Sequence, residues 1–251
     1  MTVGQSRLFF KLVGNTDVGR LVSYIEMEFE GDQGAPLLRQ AFVQFRGFTL
    51  GQTWSTFGDM SAVPTTIDEE GPSSGIEIRQ PMIRYTQKFN DHWQAALALE
   101  YAKASYSTGD FTKDIRQKVP DIPLNVRYMT KNGSHLQAGG ILRNISYKDT
   151  ESDKDRNMTG WGVMMSGNIN LCKKTSFMFQ GVYGKGIANY IQDISGIGYD
   201  LVPNPNHNGK LKAPGAWGAF GAFEQNWTSK LSSSLIYSYA RLESKGTLGR
   251  S

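Results

Sequence analysis

Between Gln5 and Leu242 the chain passes through about twelve stretches, most near ~10 residues long, in which apolar and polar side chains alternate. A period of two puts successive side chains on opposite faces of a strand, so each stretch has one greasy and one polar side. In Gln5 to Val13, Leu8, Phe10 and Leu12 oppose Gln5, Arg7 and Lys11. In Val18 to Glu30, Ile25, Met27 and Phe29 oppose Tyr24, Glu26 and Glu28. The pattern recurs in Leu38 to Arg46, Phe48 to Trp54, Ile76 to Lys88 and His92 to Tyr101, and then in Leu124 to Tyr128, Ser134 to Lys148 and Asn157 to Leu171. Thr175 to Gly184, Gly215 to Trp227 and Lys230 to Leu242 complete it.

The links constrain the fold further. From Gly14 to Asp17 onward they alternate, a tight turn at one end of the strand array and a medium or long connection at the other. Tight links fall at Phe89 to Asp91, Lys131-Asn132-Gly133, Cys172 to Lys174 and Thr228 to Ser229. The Asn-Gly pair accepts positive φ at little cost. Long links follow Trp54 and occupy Ser105 to Pro120 and Lys185 to Pro214. A soluble sandwich also alternates its side chains, but it does not sort its loops by length, whereas a transmembrane antiparallel β-barrel of the outer membrane does. Tryptophans support this orientation: Trp93 and Trp227 stand at short-turn ends, Trp161 and Trp217 near long-loop ends, as two interfacial girdles.

Composition removes other classes. No run approaches the ~18 to 20 apolar residues of a membrane helix, and the negative mean hydropathy is what alternating strands produce. Net charge is only +4, with Lys and Arg dispersed, so nucleic acid is not an expected partner. Cys172 is alone, and His92, His135 and His207 lack ligand spacing, so no disulfide, metal or cofactor is expected. The opening MTVGQSRLFF has no secretory-signal pattern, and the closing Gly249-Arg250-Ser251 reads as loop without the terminal aromatic of a complete barrel. The whole of 1–251 is therefore expected to be one barrel domain, incomplete at both ends.

The longest irregular interruption near the N-terminus lies within Gly51 to Arg84. At Leu50 to Phe57, LGQTWSTF, followed by Asp59, then Arg79-Gln80-Pro81 and Arg84-Tyr85, the sequence resembles the DcaP-like family of outer-membrane porins. Gln5-Ser6-Arg7-Leu8 and Leu38-Arg39-Gln40-Ala41 resemble it too, and the likeness is strongest over Gln5 to Tyr101. The resemblance implies a homotrimer of sixteen-stranded barrels in the outer-membrane lipid. It further implies that the third external loop, residues 54–75, folds inward to constrict the pore, and that small anionic solutes such as dicarboxylates are preferred. Such a barrel would place one more strand before Gln5 and about three beyond Leu242.

Strand parity places Arg7, Lys11, Arg39, Arg84, Lys88, Arg127 and Arg143 on the polar, lumenal face, with Arg79 where the long loop rejoins the wall. Cations around a narrow aqueous lumen with low-dielectric walls concentrate anions, and a guanidinium fork matches a carboxylate. The alternative is that these arginines pair with Glu26, Glu28 or Glu100. Asp59, Asp68, Glu69 and Glu70 give the loop the opposite sign, as a transverse field facing Arg39, Arg79 and Arg84, as salt bridges to the wall, or as solvated charges. The same parity turns Gln40 and Gln44 outward, which suits a subunit contact; the alternative is a β-bulge that shifts the parity. No catalytic constellation is present. Gly181, Gly184 and Gly186 lack the strand-to-helix context of a phosphate loop. The rival readings are a barrel that acts through Ser105 to Pro120 and Lys185 to Pro214 as an enzyme or adhesion surface, and a soluble β-rich binding domain.

Overall fold

The computed structural model describes residues 4, 6–67, 70–114, 117–204, 206–207 and 210–243. Its strands are β1 (Arg7–Thr16), β2 (Gly19–Glu28), β3 (Leu37–Phe45), β4 (Phe48–Trp54), β5 (Arg79–Lys88), β6 (Trp93–Glu100), β7 (Thr112–Asp114) and β8 (Ile122–Met129). They continue as β9 (His135–Asp149), β10 (Lys154–Cys172), β11 (Thr175–Lys185), β12 (Val202–Pro203), β13 (Leu211–Lys212), β14 (Gly215–Asn226) and β15 (Ser232–Leu242). One 13-stranded antiparallel sheet runs serially from β1 to β15, with β7 set against β9 off the main path and β12 and β13 paired separately. Without β7, the serial path consists of the about twelve long strands that the alternation predicts. Among the described residues β1 and β15 pair on one side only, and no helix is long and apolar enough to cross a membrane.

The two faces of this sheet reverse the polarity of a soluble protein. Phe10 and Leu12 on β1 are 63% and 70% exposed, and Leu97, Leu99, Val163, Met165, Phe223 and Tyr237 are exposed on the same outward parity. Glu26, Glu28, Glu100, Gln137, Ser166 and Gln180 are buried on the inward parity. An apolar surface of this extent is stable only against lipid, and polar groups inside require partners or water. The soluble-domain reading predicts the opposite arrangement.

Several local expectations change. The first turn is the pair Asp17 and Val18, because β1 continues to Thr16, whose Oγ1 donates to the Gly19 carbonyl at 2.7 Å. The interval between the expected stretches Ser134 to Lys148 and Asn157 to Leu171 is mostly strand: β9 and β10 extend to Asp149 and from Lys154, and Asp149 closes the turn by accepting from the Ser152 hydroxyl and the Arg156 guanidinium. The outward placement of Gln40 and Gln44 is wrong. The β2 to β3 register shifts at Arg39, where Glu26 pairs with Gln40 and Met27 with Leu38, so the extra residue turns Gln40, Phe42 and Gln44 inward. There the Gln40 amide donates to Glu26 at 2.8 Å and Gln44 donates to Thr49 at 3.3 Å. The subunit contact argued from these two glutamines therefore falls. The start of β1 at Gln5 lies outside the described residues.

Residues 55–67 and 70–78 lie inward of the wall, across its concave face. Phe57 and Ile76 are essentially unexposed, packed with Ile141 of β9, Met164 of β10, Val182 of β11 and Ala216 of β14, and with Ile187, Tyr190 and Ile191 from the long segment after β11. Full burial of each large side chain contributes about 2–3 kcal/mol. The wall makes room with glycine: a Cβ at Gly162 would stand 3.1 Å from the Phe57 ring, and one at Gly218 would stand 2.6 Å from the Ser74 Cβ. These inward glycines are the seat of the crossing segment.

Candidate lumenal site

The crossing segment is fastened at three depths. At its start, Ser55 donates its hydroxyl and Thr56 its backbone N–H to the Glu100 carboxylate at 2.6 and 2.7 Å, and Asn125 donates to the Thr56 carbonyl at 2.7 Å. On its return, Ser74 accepts at its carbonyl from Gln180, and its N–H donates to Ser238. Deepest, near the short-turn ends of β8 and β9, is Asp59.

Asp59 is 1% exposed and accepts from four groups: Arg127 Nη2 at 2.6 Å, His135 Nε2 at 2.8 Å, Ser166 Oγ at 2.7 Å and the Ser61 backbone N–H at 3.1 Å. Burial disfavours the charged carboxylate, but the His135 hydrogen bond, the Arg127 charge and the Ser166 hydroxyl outweigh it and hold the Asp59 carboxyl below its ordinary value. The loop tip is thus tied by a buried charge to three adjacent strands, β8, β9 and β10.

The predicted arginine ring separates into distinct roles. Arg39, on the bulge, is bound by Glu26, with Nε to Oε1 at 3.1 Å, and by Glu28. Arg127 is committed to Asp59, so the direct carboxylate contact across the lumen is with Arg127 rather than with Arg39, Arg79 or Arg84. Arg143 does not line the lumen: it is 2% exposed, with Nε 2.7 Å from Asp121 and Nη1 3.0 Å from Asp200. Tyr190 lies against this cluster, its hydroxyl donating to Asp121 at 2.9 Å and its ring 5.0 Å from the Arg143 guanidinium carbon. Arg79 takes the parity opposite to Gln80, Met82 and Arg84 and lies 4.7 Å over the Trp54 ring. Arg7 stands across from Glu28. Glu70 is exposed, while Asp68 and Glu69 lie outside the described residues.

What remains open is the half of the concave face formed by β1 to β5. A cavity of about 860 Å³ there is lined by the cations Lys11, Arg20, Arg46, Arg84 and Lys88, together with Tyr24, Gln40, Gln44, Thr49 and Thr53, and among the described residues no carboxylate contributes to its lining. The sequence reading includes Lys11, Arg84 and Lys88 but misses Arg20 and Arg46. Arg20 shares inward parity with Val22 and Tyr24 and was legible. Arg46 is in a turn at φ 49° with its Nε donating to the Val18 carbonyl, a placement that no strand period foretells.

A single wall with outward lipid-facing side chains, sorted loop lengths and a segment crossing its polar interior matches one known architecture. The profile of the porin subfamily matches residues 3–246. The chain belongs to this porin family. Among solved structures, the outer membrane channel DcaP of Acinetobacter baumannii superposes with a TM-score of 0.82 at 21% identity, covering 97% of this chain and 68% of that one. An anion-selective porin from Comamonas acidovorans gives a TM-score of 0.59 at 10% identity, covering 97% and 71%. No curated protein matches the chain. The porin therefore resides in the bacterial outer membrane, with tight turns at one membrane surface and longer loops at the other. Family and neighbours point to a channel rather than an enzyme.

One group on the porin's crossing segment titrates near neutrality. Glu77 points between Gly71 and Gly75, where a Cβ would stand 2.6 and 2.8 Å from its Oε1, and this buried oxygen receives no hydrogen bond among the described residues. Burial pushes the Glu77 carboxyl from 4.5 up to about 7, against the opposing charge of Arg79. The folded chain holds this proton more tightly than the unfolded chain, so the contribution to stability is complete below about 4.5 and is lost as pH rises through about 7. Hydrogen exchange at the amides of residues 71–78, corrected for intrinsic rates, should accelerate across this window, and Glu77→Gln should remove the acceleration. An unchanged profile in the variant would assign the titration elsewhere.

Proposed function

We propose that this porin conducts small anionic hydrophilic solutes by passive diffusion, past a constriction formed by residues 54–75 acting as an external loop folded into the lumen. The observation that carries the reading is the open cavity beside the loop, whose lining among the described residues holds five cations and no carboxylate. Unpaired cations on a low-dielectric wall raise the local anion concentration and exclude cations. The arginines with carboxylate partners add little net charge, so selectivity rests on Lys11, Arg20, Arg84 and Lys88 more than on Arg39, Arg127 or Arg143. The likeness to the Comamonas protein, an anion-selective porin, favours the same reading. Dicarboxylate cargo and a homotrimer are the finer expectations carried by the likeness to DcaP.

The test is the reversal potential of the porin in planar bilayers under a potassium chloride gradient. Replacing Lys11, Arg20 and Lys88 together by glutamine should lower the anion-to-cation permeability ratio by about threefold or more, since three charges leave a weakly screened wall. A ratio equal to that of the unaltered porin would refute the basic wall as the selectivity element.

A further inference from the structure

Beneath the crossing segment a second, smaller hollow of about 250 Å³ opens from the basic wall. Its far wall is β5, β6 and β8, and its roof is the loop from Ser55 to Ser61. The hollow exists because β6 presents alanine here: Ala96 pairs with Thr86 on one side and Asn125 on the other, and Ala98 pairs with Arg84. Thr53, Trp54, Arg84 and Thr86 line both this hollow and the larger cavity, and Arg84 is the only cation that they share.

Most polar groups around the hollow are already committed. Asn125 and Gln137 donate to loop carbonyls, Arg127 is bound to Asp59, and Glu100, whose charge acts on Arg84, accepts from Ser55 and Thr56. Three are not. Among the described residues Arg84 makes one hydrogen bond, a long one of 3.3 Å from Nη1 to the Trp54 carbonyl, and its Nε has no acceptor. The side chains of Thr86 and Gln94, which also line the hollow, bond to no described residue. A guanidinium fork, an amide and a hydroxyl are all donors, and a small oxyanion is the ligand that can accept from all of them. At about 30 Å³ per water, the hollow has room for an acid of a few carbons and its residual hydration.

We infer that this hollow is a saturable stopping site for one small oxyanion, a carboxylate or inorganic phosphate, held by Arg84 with Thr86 and Gln94 while Arg127 closes the opposite side. The inference rests on the anion-channel reading and adds that conduction is not simple diffusion for such solutes. An anion drawn along the basic wall pauses at the hollow, and at high concentration its rate of leaving sets the current.

The experiment is single-channel current of the porin against concentration, in potassium acetate and separately in potassium phosphate. Current should level off with one or both salts, and the salt with the lower half-saturating concentration identifies which oxyanion the site prefers. Arg84→Gln should raise that concentration by about tenfold and Gln94→Leu by about fivefold, the losses expected for a charged and a neutral hydrogen bond. Gln94→Leu changes a partly exposed side chain and keeps the test available if Arg84→Gln does not insert. Current that rises linearly with both salts, or unaltered half-saturation in the variants, overturns the site. Failure of the underlying anion reading is distinct, because the reversal potential in a potassium chloride gradient would then show no anion preference in the unaltered porin.

Discussion

Asp59→Ala is expected to free the tip of the crossing segment and enlarge the passage, giving a higher single-channel conductance and a larger solute cut-off in liposome swelling. Asp59 is the buried partner shared by Arg127, His135, Ser166 and the Ser61 amide. Removing one member of a buried ion pair costs about 3–5 kcal/mol, largely because the other charge stays buried without compensation. Arg127 therefore loses its reason to stay beneath the loop. The apolar anchors Phe57 and Ile76 still hold the two arms, so the segment should loosen at residues 59–65 rather than leave the lumen. Asp59→Asn keeps an acceptor for Ser61 and Ser166 and should fall between the two. If Asp59→Ala shows the unaltered porin's conductance and cut-off, the loop tip is not what narrows the channel.

The strands were legible because a barrel wall has one lipid-facing side chain in every two, and this leaves a period-two record that turns and charges cannot erase. Leu8, Phe10 and Leu12, or Leu97 and Leu99, face outward as that record requires. The record fails where one residue is added: the bulge at Arg39 turns Gln40 and Gln44 to the lumen, and nothing in Leu37 to Phe45 marks its position. The lumenal charges were half legible. Parity finds that Arg39, Arg84 and Arg127 point inward, but whether a cation is free or paired depends on residues distant in sequence. Asp59 reaches Arg127 across 68 residues, which only the inward course of the loop brings about. The purpose of the glycines was illegible in the same way. Gly184 and its neighbours carry no nucleotide chemistry; a Cβ at Gly184 would stand 2.8 Å from Ile187 Cδ1, so its smallness admits the segment that follows β11.

Arg143 makes the separation between wall and lumen testable. It lies on inward parity, as the sequence predicts, yet it is roofed by the long segments on either side. Asp121 comes from the end of the first and Asp200 from the middle of the second, both fully buried. Asp200 also accepts from the Ser105 and Asn189 backbone amides, and the Arg143 guanidinium donates to the Gly186 carbonyl. One cation therefore joins the connections after β6 and after β11 to the middle of β9. Arg143→Met should destabilise this assembly by about 3–5 kcal/mol, since two carboxylates would remain buried without their counter-charge. The expected signs are proteolytic nicking within residues 101–121 and 186–214 and a lower temperature for unfolding in detergent. Combining Arg143→Met with Asp121→Asn and Asp200→Asn removes the uncompensated charge and should recover much of the loss, because a neutral buried cluster costs less than an ionic one missing a partner. Selectivity for chloride over potassium should change little in the triple variant, as none of the three residues lines the basic cavity. Protease resistance in Arg143→Met equal to that of the unaltered porin would mean that the two long connections are held by their apolar contacts alone.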